Sequence, residues 1–299
     1  MTEKTKIGIV ILNYQSYKDT IKLLKNLYEI NKQLVDKTLI TCVVDNCSPN
    51  NSVDLIEQEL RDQYRDEPFF LLPLKSNLGY SSGNNAGIKF LLEKKCRYIF
   101  IMNNDIEIEN ENFFNSMLES IKYNNAAILG PGIIQNGKME LPLKGKRPSF
   151  VGIVFENFFL PIKIIVNKYK RRNLKYKKEA KRVYSVSGCC FLIDAKKTMD
   201  NGNFFDDRLF LYEEETILGE RMFREKQKIF FDPSTSVIHA HGATIKKHYD
   251  KKKQDAIKDE SFLIYLDDYR KEFSNLQKKI IMLSRKVRWK YEQIIAGLK

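Results

Sequence analysis

The sequence predicts an α/β fold with a mostly parallel sheet flanked by helices. Four short apolar segments have the length and composition of buried strands, and they lie near residues 7–12, 39–44, 69–74 and 98–102. Amphipathic segments separate them, and this alternation is typical of a parallel sheet covered on both faces. The 299 residues suffice for one large domain, or for one domain with an extension.

The amphipathic segments predict the helices of this arrangement. Ser16-x-x-Asp19 resembles a capping box, so the first helix should begin there. Asn51 is placed to cap the second helix, and the third and fourth helices are expected near 84–93 and 113–121.

After Gly132 the alternation becomes irregular. The predicted segments are a loop at 135–150, an inserted helical segment at 150–180, strands near 183–193 and 228–238, a short helix after Tyr212, and a basic helical extension from about 255.

Composition narrows the classes of partner. The formal net charge of +13 favours an anionic partner, which leaves nucleic acid, an acidic membrane surface and phosphorylated small molecules open. The five cysteines form no C-x-x-C pair, and we expect them to be reduced thiols. The N-terminus lacks a signal-peptide pattern, and the apolar stretch 150–166 is interrupted by polar residues. We therefore expect a cytoplasmic protein, soluble or peripheral to the inner face of the cell membrane.

Polar residues follow three of the predicted strands. Asn13, Asp45 and the Asn103-Asn104-Asp105 segment each stand where an apolar run ends. Ligands of open α/β sheets bind beyond the carboxyl ends of the strands. These groups can therefore converge on one nucleotide, and a carboxylate there can hold a divalent cation against phosphates.

Six ordered blocks carry a resemblance to a known family. They are Ile-Val-Ile-Leu-Asn-Tyr (9–14), Val-Val-Asp-Asn-x-Ser (43–48), Asn-Leu-Gly-Tyr-Ser-Ser-Gly-Asn-Asn-Ala-Gly (77–87), Met-Asn-Asn-Asp (102–105), Phe-Leu-Tyr-Glu-Glu-Glu (210–215) and Val-x-His-x-x-Gly-Ala-Thr (237–244). With these blocks the chain resembles family 2 glycosyltransferases of the bacterial surface-polysaccharide type. The resemblance implies a GT-A (Rossmann-like) domain at 1–245, with a nucleotide-binding half at about 1–105 and an acceptor half at about 106–245. Residues 246–299 would form the basic helical extension.

The resemblance also implies roles for individual residues. The donor-binding positions would be Asn13, Asp45, Asn77, Asn85 and Asn104. Asp105 matches the essential acid of the family's metal motif, although Asn103 replaces its first acid, and His239 would complete the metal shell, with His241 as its competitor. The cation would be Mn²⁺ or Mg²⁺, because both suit oxygen ligands.

The acidic segment Glu213-Glu214-Glu215 lies where the family carries its catalytic acidic pair. Aligning Tyr212 and Arg221 with the family pattern places Glu215 at the base, with Glu214 as the alternative. Glu replaces the family's Asp at the base position. The resemblance further places Gly188 on the acceptor side, and Asp206 or Asp207 near sugar hydroxyls.

The implied function is metal-dependent, inverting transfer of a hexose from a UDP- or dTDP-sugar to a glycan hydroxyl, on a lipid-linked acceptor in capsule or other surface-polysaccharide synthesis. Two alternatives remain at this point. A sugar-1-phosphate nucleotidyltransferase would need a Gly-rich basic loop early in the chain, but 7–16 has one Gly and no Arg. A basic nucleic-acid-binding protein is disfavoured by the acidic clusters, so we expect no nucleic-acid partner.

Two segments combine apolar anchors with basic residues. They are 163–182, which follows an apolar stretch, and the C-terminal extension around 278–290. Such a combination suits an interfacial helix on an anionic membrane. The alternative is that these helices pack on the catalytic domain or form a homo-oligomer.

Overall fold

The computed structural model describes residues 5–34, 37–140, 144–159, 179–198, 203–240 and 250–297. The strands are β1 (Thr5–Asn13), β2 (Lys37–Asp45), β3 (Phe69–Pro73), β4 (Tyr98–Asn103), β5 (Ile106–Glu107), β6 (Ile128–Gln135), β7 (Lys138–Glu140), β8 (Lys181–Val183), β9 (Cys190–Asp194) and β10 (Ile229–His239). The helices are α1 (Tyr17–Gln33), α2 (Ser52–Gln63), α3 (Gly79–Glu93), α4 (Phe113–Tyr123), α5 (Phe150–Phe158), α6 (Ala195–Thr198), α7 (Glu214–Arg224), α8 (Lys251–Ile264) and α9 (Asn275–Gly297), with a π-helical turn at Tyr265–Tyr269.

The strands form a single mixed sheet in the order β3-β2-β1-β4-β9-β6-β10-β5, with β7 on β6 and β8 on β10. The β3-β2-β1-β4 half is parallel, as is the β6–β10 pair, whereas β9 runs antiparallel between β4 and β6. The predicted α/β class is confirmed, including the sheet flanked by helices and the C-terminal helices.

The register of the parallel half brings the strand ends level. Asn13 pairs with Asp45, and Leu12 pairs with Asn103. The polar residues after β1, β2 and β4 therefore meet at one edge of the sheet, which is the geometry that the strand-end pattern predicts.

The sheet is buried on both faces. One apolar cluster packs the β-strand side chains against α1, α2 and α4, with Leu24, Phe113 and Phe114 fully buried. The second lies on the face of α3 and includes Val10, Leu91 and Phe204. Continuous apolar strands covered on both faces are characteristic of such parallel sheets.

The C-terminal helices pack on the α/β domain. A third apolar cluster joins Tyr265, Leu266 and Ile281 of the extension to Ile153 of α5 and Ile217 of α7. The structure thus favours the packing alternative for the described part of the extension. Most of the other basic segment, 163–182, lies outside the described residues. None of the described helices combines the length and apolarity needed to span a membrane.

A buried ionic network reinforces this junction. Glu220 of α7 is fully buried and accepts two hydrogen bonds from Arg147, at 2.8 and 2.6 Å. Arg147 also reaches Glu272, and the Tyr184 hydroxyl donates to Glu220 at 2.9 Å. The network ties the loop before α5 and the turn before α9 to α7, whose first residues are the acidic segment.

Several details differ from the sequence prediction. Ser16 and Asn51 stand at the N-cap positions of α1 and α2, but neither side chain makes a capping hydrogen bond, and β7 lies within the predicted loop. Helix α3 begins at Gly79 and not near residue 84. Gly79 itself adopts φ of 77°, which favours glycine, and lies against Phe210. A Cβ there would lie 2.2 Å from the Phe210 carbonyl oxygen. The single strand predicted near 183–193 is two strands, β8 and β9, which pair with different neighbours.

Candidate active site

A cleft of about 750 Å³ opens at the carboxyl ends of β1 and β4. Its floor and one side come from the strand ends and from the start of α3, and Ser187–Cys189 and the loop 210–213 line it further. Residues of α5, α8 and α9 complete it, so the extension forms part of its wall.

The strand-end residues Asn13 and Asp45 lie beside each other but are fully buried. The Asn13 amide donates to Asp45 Oδ2 at 2.7 Å, and Ser48 donates to the same carboxylate through its amide and its hydroxyl, both at 2.8 Å. Neither residue contributes to the cleft lining. In this arrangement they hold the ends of β1 and β2 together under the cleft.

Asn104 connects this buried pair to the cleft. Its amide donates to Ser16 Oγ at 2.7 Å and to Thr20 Oγ1 at 3.0 Å, and Thr20 in turn donates to Asn13 Oδ1 at 2.8 Å. Asn104 is itself part of the cleft lining. The chain of bonds fixes the segment after β4 relative to β1.

The Gly- and Asn-rich segment divides between two places. Asn77 lines the cleft, and its side-chain oxygen accepts from Asn46 at 2.9 Å and from the Gly79 amide at 3.0 Å. Asn85 does not line the cleft. Its side-chain nitrogen donates to the Phe205 carbonyl and, at 2.6 Å, to Asp207 Oδ1, and its side-chain oxygen accepts from the Phe205 amide. Asn85 therefore anchors the segment 203–207.

Asp105 and His239 form the candidate metal pair. His239 Nε2 lies 3.2 Å from Asp105 Oδ1, and both side chains are largely buried at the cleft. Nε2 makes no hydrogen bond, although it is buried. A carboxylate oxygen and an unbonded imidazole nitrogen at this spacing suit two ligands of one cation. Within the described residues they are not joined by a third His, Cys, Asp or Glu.

Strand pairing explains how these distant residues meet. His239, the last residue of β10, pairs with Ile106 of β5, and the Ala240 amide donates to the Asp105 carbonyl at 3.0 Å. The competitor His241 lies outside the described residues.

The acidic segment begins α7 after an unusual backbone turn. Tyr212 and Glu213 have φ of 74° and 64°, a conformation that is costly for residues other than glycine and is concentrated at functional sites. Two contacts hold the preceding loop, since the Tyr80 amide donates to the Phe210 carbonyl and the Ser261 hydroxyl to the Leu211 carbonyl, both at 2.8 Å. The turn directs the first carboxylates of α7 into the cleft.

Glu215 is held by Gly188. The Gly188 amide donates to Glu215 Oε1 at 3.0 Å, and the Gly188 carbonyl accepts from the Tyr80 hydroxyl at 2.7 Å. A side chain at position 188 would collide with the carboxylate, because a Cβ would lie 2.3 Å from Oε1. The sequence placed Gly188 on the acceptor side, and the structure shows what it contacts.

Glu214 and Glu215 have perturbed acidity. Burial raises the pKa of both carboxyls, and the negative charge of Glu215 raises that of Glu214 further. Glu214 Oε1 is buried without a hydrogen-bond partner. Raised pKa values in a cleft are typical of groups that exchange protons with a ligand. The nearby Cys189 thiol is an unsuitable nucleophile, because burial raises its pKa to about 12.

Several cleft residues escaped the sequence analysis or were assigned elsewhere. They are Asn46, Tyr80, Lys144, Lys258, Arg285, Arg288 and Trp289. The last four belong to the extension, for which the sequence left open a membrane-facing helix, packing on the catalytic domain or a homo-oligomer. The spacing of Arg285, Arg288 and Trp289 places them on one face of a helix, and this was the available signal. Asp206, by contrast, is bonded to Arg208 and Tyr269 and does not line the cleft.

Comparison with known proteins agrees with this architecture. The model of the glycosyl transferase family 2 matches residues 9–202. A curated relative, the low-salt glycan biosynthesis hexosyltransferase Agl10 of Haloferax volcanii, is 26% identical over 234 residues, which are 78% of this chain and 66% of Agl10. The match thus spans slightly less than two thirds of that relative.

Solved structures share the fold at low sequence identity. GalNAc-T7 with UDP, GalNAc and Mn²⁺ superposes with a TM-score of 0.56 at 12% identity, over 81% of this chain and 45% of that one. S. aureus TarS 1–349 in complex with UDP-GlcNAc gives a TM-score of 0.55 at 13% identity, over 94% of this chain and 79% of that one.

Proposed function

The chain belongs to glycosyl transferase family 2, and from that premise we propose that it is an inverting, metal-dependent hexosyltransferase. It would move a sugar from a UDP- or dTDP-sugar to a hydroxyl of a glycan acceptor. The observation that carries the proposal is the meeting, in one cleft, of the Asp105–His239 pair with the carboxylates of Glu214 and Glu215. One pair suits a cation and its diphosphate, and the other suits removal of a proton.

Glu215 is the proposed general base. Its carboxylate is oriented by the Gly188 amide and faces the cleft, so it can accept the proton of an acceptor hydroxyl. Attack by that hydroxyl on the face of the sugar opposite the leaving group inverts the configuration. Glu214, whose Oε1 is unbonded, remains the alternative base.

Asp105 and His239 would hold Mn²⁺ or Mg²⁺ with the donor diphosphate. When bound, the cation neutralises the charge that develops on the leaving nucleoside diphosphate. Asn104 and Asn77 line the same cleft and offer amides to the donor, while Asn13 and Asp45 support the strand ends beneath. The proposal of a uridine nucleotide is supported by TarS and GalNAc-T7, which were solved with UDP-GlcNAc and UDP.

The acceptor is proposed to be a lipid-linked glycan at the cytoplasmic face of a membrane, in surface-polysaccharide synthesis. The name of Agl10 supports glycan biosynthesis by a hexosyltransferase. Exposed apolar side chains support a membrane surface: Phe155 of α5, Phe159 directly after α5, and Leu283 of α9. The exposed Lys279 and Lys290 share the helix face of Leu283 and would attract an anionic leaflet.

Donor binding is the decisive test. We expect UDP with Mn²⁺ to raise the Tm, an oligonucleotide to have no such effect, and a screen of nucleotide sugars to reveal metal-dependent hydrolysis or transfer. Asp105→Ala should abolish turnover and the metal-dependent part of UDP binding, whereas the exposed Asp66→Ala should change neither. Stabilisation by the oligonucleotide without response to any nucleotide would refute the proposal.

Membrane association has its own test. A larger fraction of the protein should sediment with anionic vesicles than with neutral ones. Added salt should release the protein, because salt screens exposed charges. Equal recovery with neutral and anionic vesicles at low salt would contradict the membrane part of the proposal alone.

A further inference from the structure

The inner face of α9 changes its role along its length. Ile281 and Ser284 are fully buried, and Ser284 Oγ accepts a 2.8 Å hydrogen bond from Asn157 of α5. One turn later, Arg285, Arg288 and Trp289 line the catalytic cleft. Residues three and four apart share a helix face. The same face that docks the extension therefore presents two guanidinium groups and an indole to the cleft.

The guanidinium of Arg285 is largely buried yet loosely paired. Its side chain is 11% exposed, and the guanidinium lies 3.8 Å from the ring centre of Phe262. Its polar contacts are to Asp259 Oδ1, at 3.4 and 3.3 Å, and to the Lys258 carbonyl, at 3.4 Å. Charge-assisted bonds between Arg and a carboxylate are normally about 2.7–2.9 Å. Burial lowers the pKa of Arg285, while Glu213 and Asp259 oppose that effect. An anion in the cleft would compensate the desolvation of this cation.

The surrounding wall has an excess of positive charge. Lys258 of α8 lines the cleft with Arg285 and Arg288, and Glu156 of α5 is the carboxylate on the same wall. Lys258 Nζ also lies 3.5 Å from Asp255 Oδ1. The carboxylates of the proposed metal and base sites belong to the segment after β4 and to α7, not to this wall. The extension therefore adds cations to a cleft whose catalytic side is acidic.

We propose that Lys258, Arg285, Arg288 and Trp289 form an acceptor subsite that recognises a phosphate group on the acceptor glycan. Arginine forks match phosphate oxygens in a bidentate way, and an indole face accommodates a sugar ring or a short stretch of lipid. The inference rests on the proposed function, because it concerns the acceptor of the same reaction. The phosphate has two sources, a lipid diphosphate or a phosphodiester within a polymer, and the chemistry of recognition is shared.

Binding can be followed through Trp289, the single tryptophan of the chain. The donor site is first saturated with UDP and Mn²⁺, so that a phosphate probe does not bind the metal pair. Geranyl diphosphate, glycerol 3-phosphate and the neutral octyl glucoside are then titrated while tryptophan emission is recorded. From the change in emission, we expect the phosphate probes to bind at least tenfold more tightly than octyl glucoside. A preference for geranyl diphosphate would indicate that the natural acceptor carries a lipid diphosphate. Equal affinity for the two phosphate probes would indicate a phosphodiester within a polymer.

Variants of α9 separate the subsite from general charge. Arg285→Gln and Arg288→Gln should each weaken geranyl diphosphate binding at least tenfold, and Arg285→Lys should recover only part of the loss because it lacks the fork. Lys286→Gln, which alters an exposed residue next to Arg285, should leave binding unchanged. Affinity for UDP and Mn²⁺ and the Tm are measured for every variant, which identifies any loss caused by misfolding.

Three results would overturn the inference. They are equal affinity for octyl glucoside and the phosphates, undiminished binding in both arginine variants, or an equal loss in Lys286→Gln. If the wild type binds UDP and hydrolyses a nucleotide sugar, such a result removes the phosphate subsite and leaves the proposed function intact. If no nucleotide sugar is bound or hydrolysed, the proposed function itself fails.

Discussion

Substitution of Gly188 by alanine tests the placement of the proposed base without altering the base itself. A Cβ at position 188 would lie 2.3 Å from Glu215 Oε1 and 3.0 Å from Cδ, whereas ordinary contact begins at 3.4 Å. The carboxylate must therefore retreat by about 1 Å. It would also lengthen or lose its 3.0 Å bond from the Gly188 amide. A misplacement of about 1 Å at a reacting group lowers the rate by roughly a hundredfold.

We expect Gly188→Ala to reduce kcat for transfer about a hundredfold, with little change in the affinity for UDP and Mn²⁺. Overpacking of this size costs about 1–3 kcal/mol, which a domain of ordinary stability survives. The matched control is Gly145→Ala, because a Cβ at Gly145 would meet no atom within 4 Å. Steady-state transfer assays, UDP titrations and melting curves distinguish a displaced base from an unfolded protein.

A second substitution should partly reverse the effect. Glu215→Asp shortens the side chain by one methylene and makes room for the new Cβ, so Gly188→Ala with Glu215→Asp should be faster than Gly188→Ala alone. Wild-type kcat in Gly188→Ala would refute the reasoning, because the position of the Glu215 carboxylate would then be irrelevant to the reaction.

Other perturbations give further tests. Glu215→Gln should lower kcat by roughly a hundredfold or more with UDP affinity retained, as expected for a general base, and a dead Glu214→Gln with an active Glu215→Gln would shift the base by one residue. Glu213→Gln should move the acidic limb of the pH–rate profile to lower pH, because the charge of Glu213 raises the pKa of both neighbours; an unmoved limb would contradict this coupling. Glu220→Ala should destabilise the fold by about 3–5 kcal/mol in denaturant titrations, since it breaks the buried network around Arg147. A loss below about 1 kcal/mol, the value of an exposed ion pair, would show that the fold does not need the network.

The strand-end part of the candidate site was largely predictable from the sequence because its signals are local. The apolar runs that end in Asn13, Asp45 and Asn103 are strands in the structure, and their parallel register brings these ends together. Asp105 could be proposed as a site residue from its position after β4 alone. The burial of Asn13 and Asp45 was not predictable, because it depends on the bonds from Ser48 and its neighbours across the strands.

The part of the cleft wall formed by α9 was less predictable because it depends on long-range packing. Arg285 and Trp289 lie within a basic, apolar segment whose composition also suits a membrane helix. Their direction is set by Ile281 and Ser284, which dock on α5 more than a hundred residues earlier in the chain. The spacing of apolar and basic residues predicts an amphipathic helix. Only the packing partner decides which face of that helix becomes a cleft wall.

The buried carboxylate of Glu214 leads to a last prediction, on stability and pH. Burial and the charge of Glu215 raise the pKa of Glu214 in the folded protein, so the folded state binds this proton more tightly than the unfolded chain does. Its contribution to stability is thus fully present below the unfolded pKa of about 4.3 and is lost as pH rises through the folded pKa. Glu214→Gln removes the ionisation but keeps the shape of the side chain.

The Tm of Glu214→Gln should therefore exceed that of the wild type at alkaline pH, and the difference should shrink as the pH falls toward the unfolded pKa. Glu225→Gln, at the exposed end of the same helix, is the control and should show no such trend. Melting curves across this pH range measure both. A Tm difference that is constant with pH would mean that Glu214 is not held in its protonated form. A gain in stability accompanied by a loss of transfer would show that the fold retains an unfavourably buried carboxyl group because the reaction requires it.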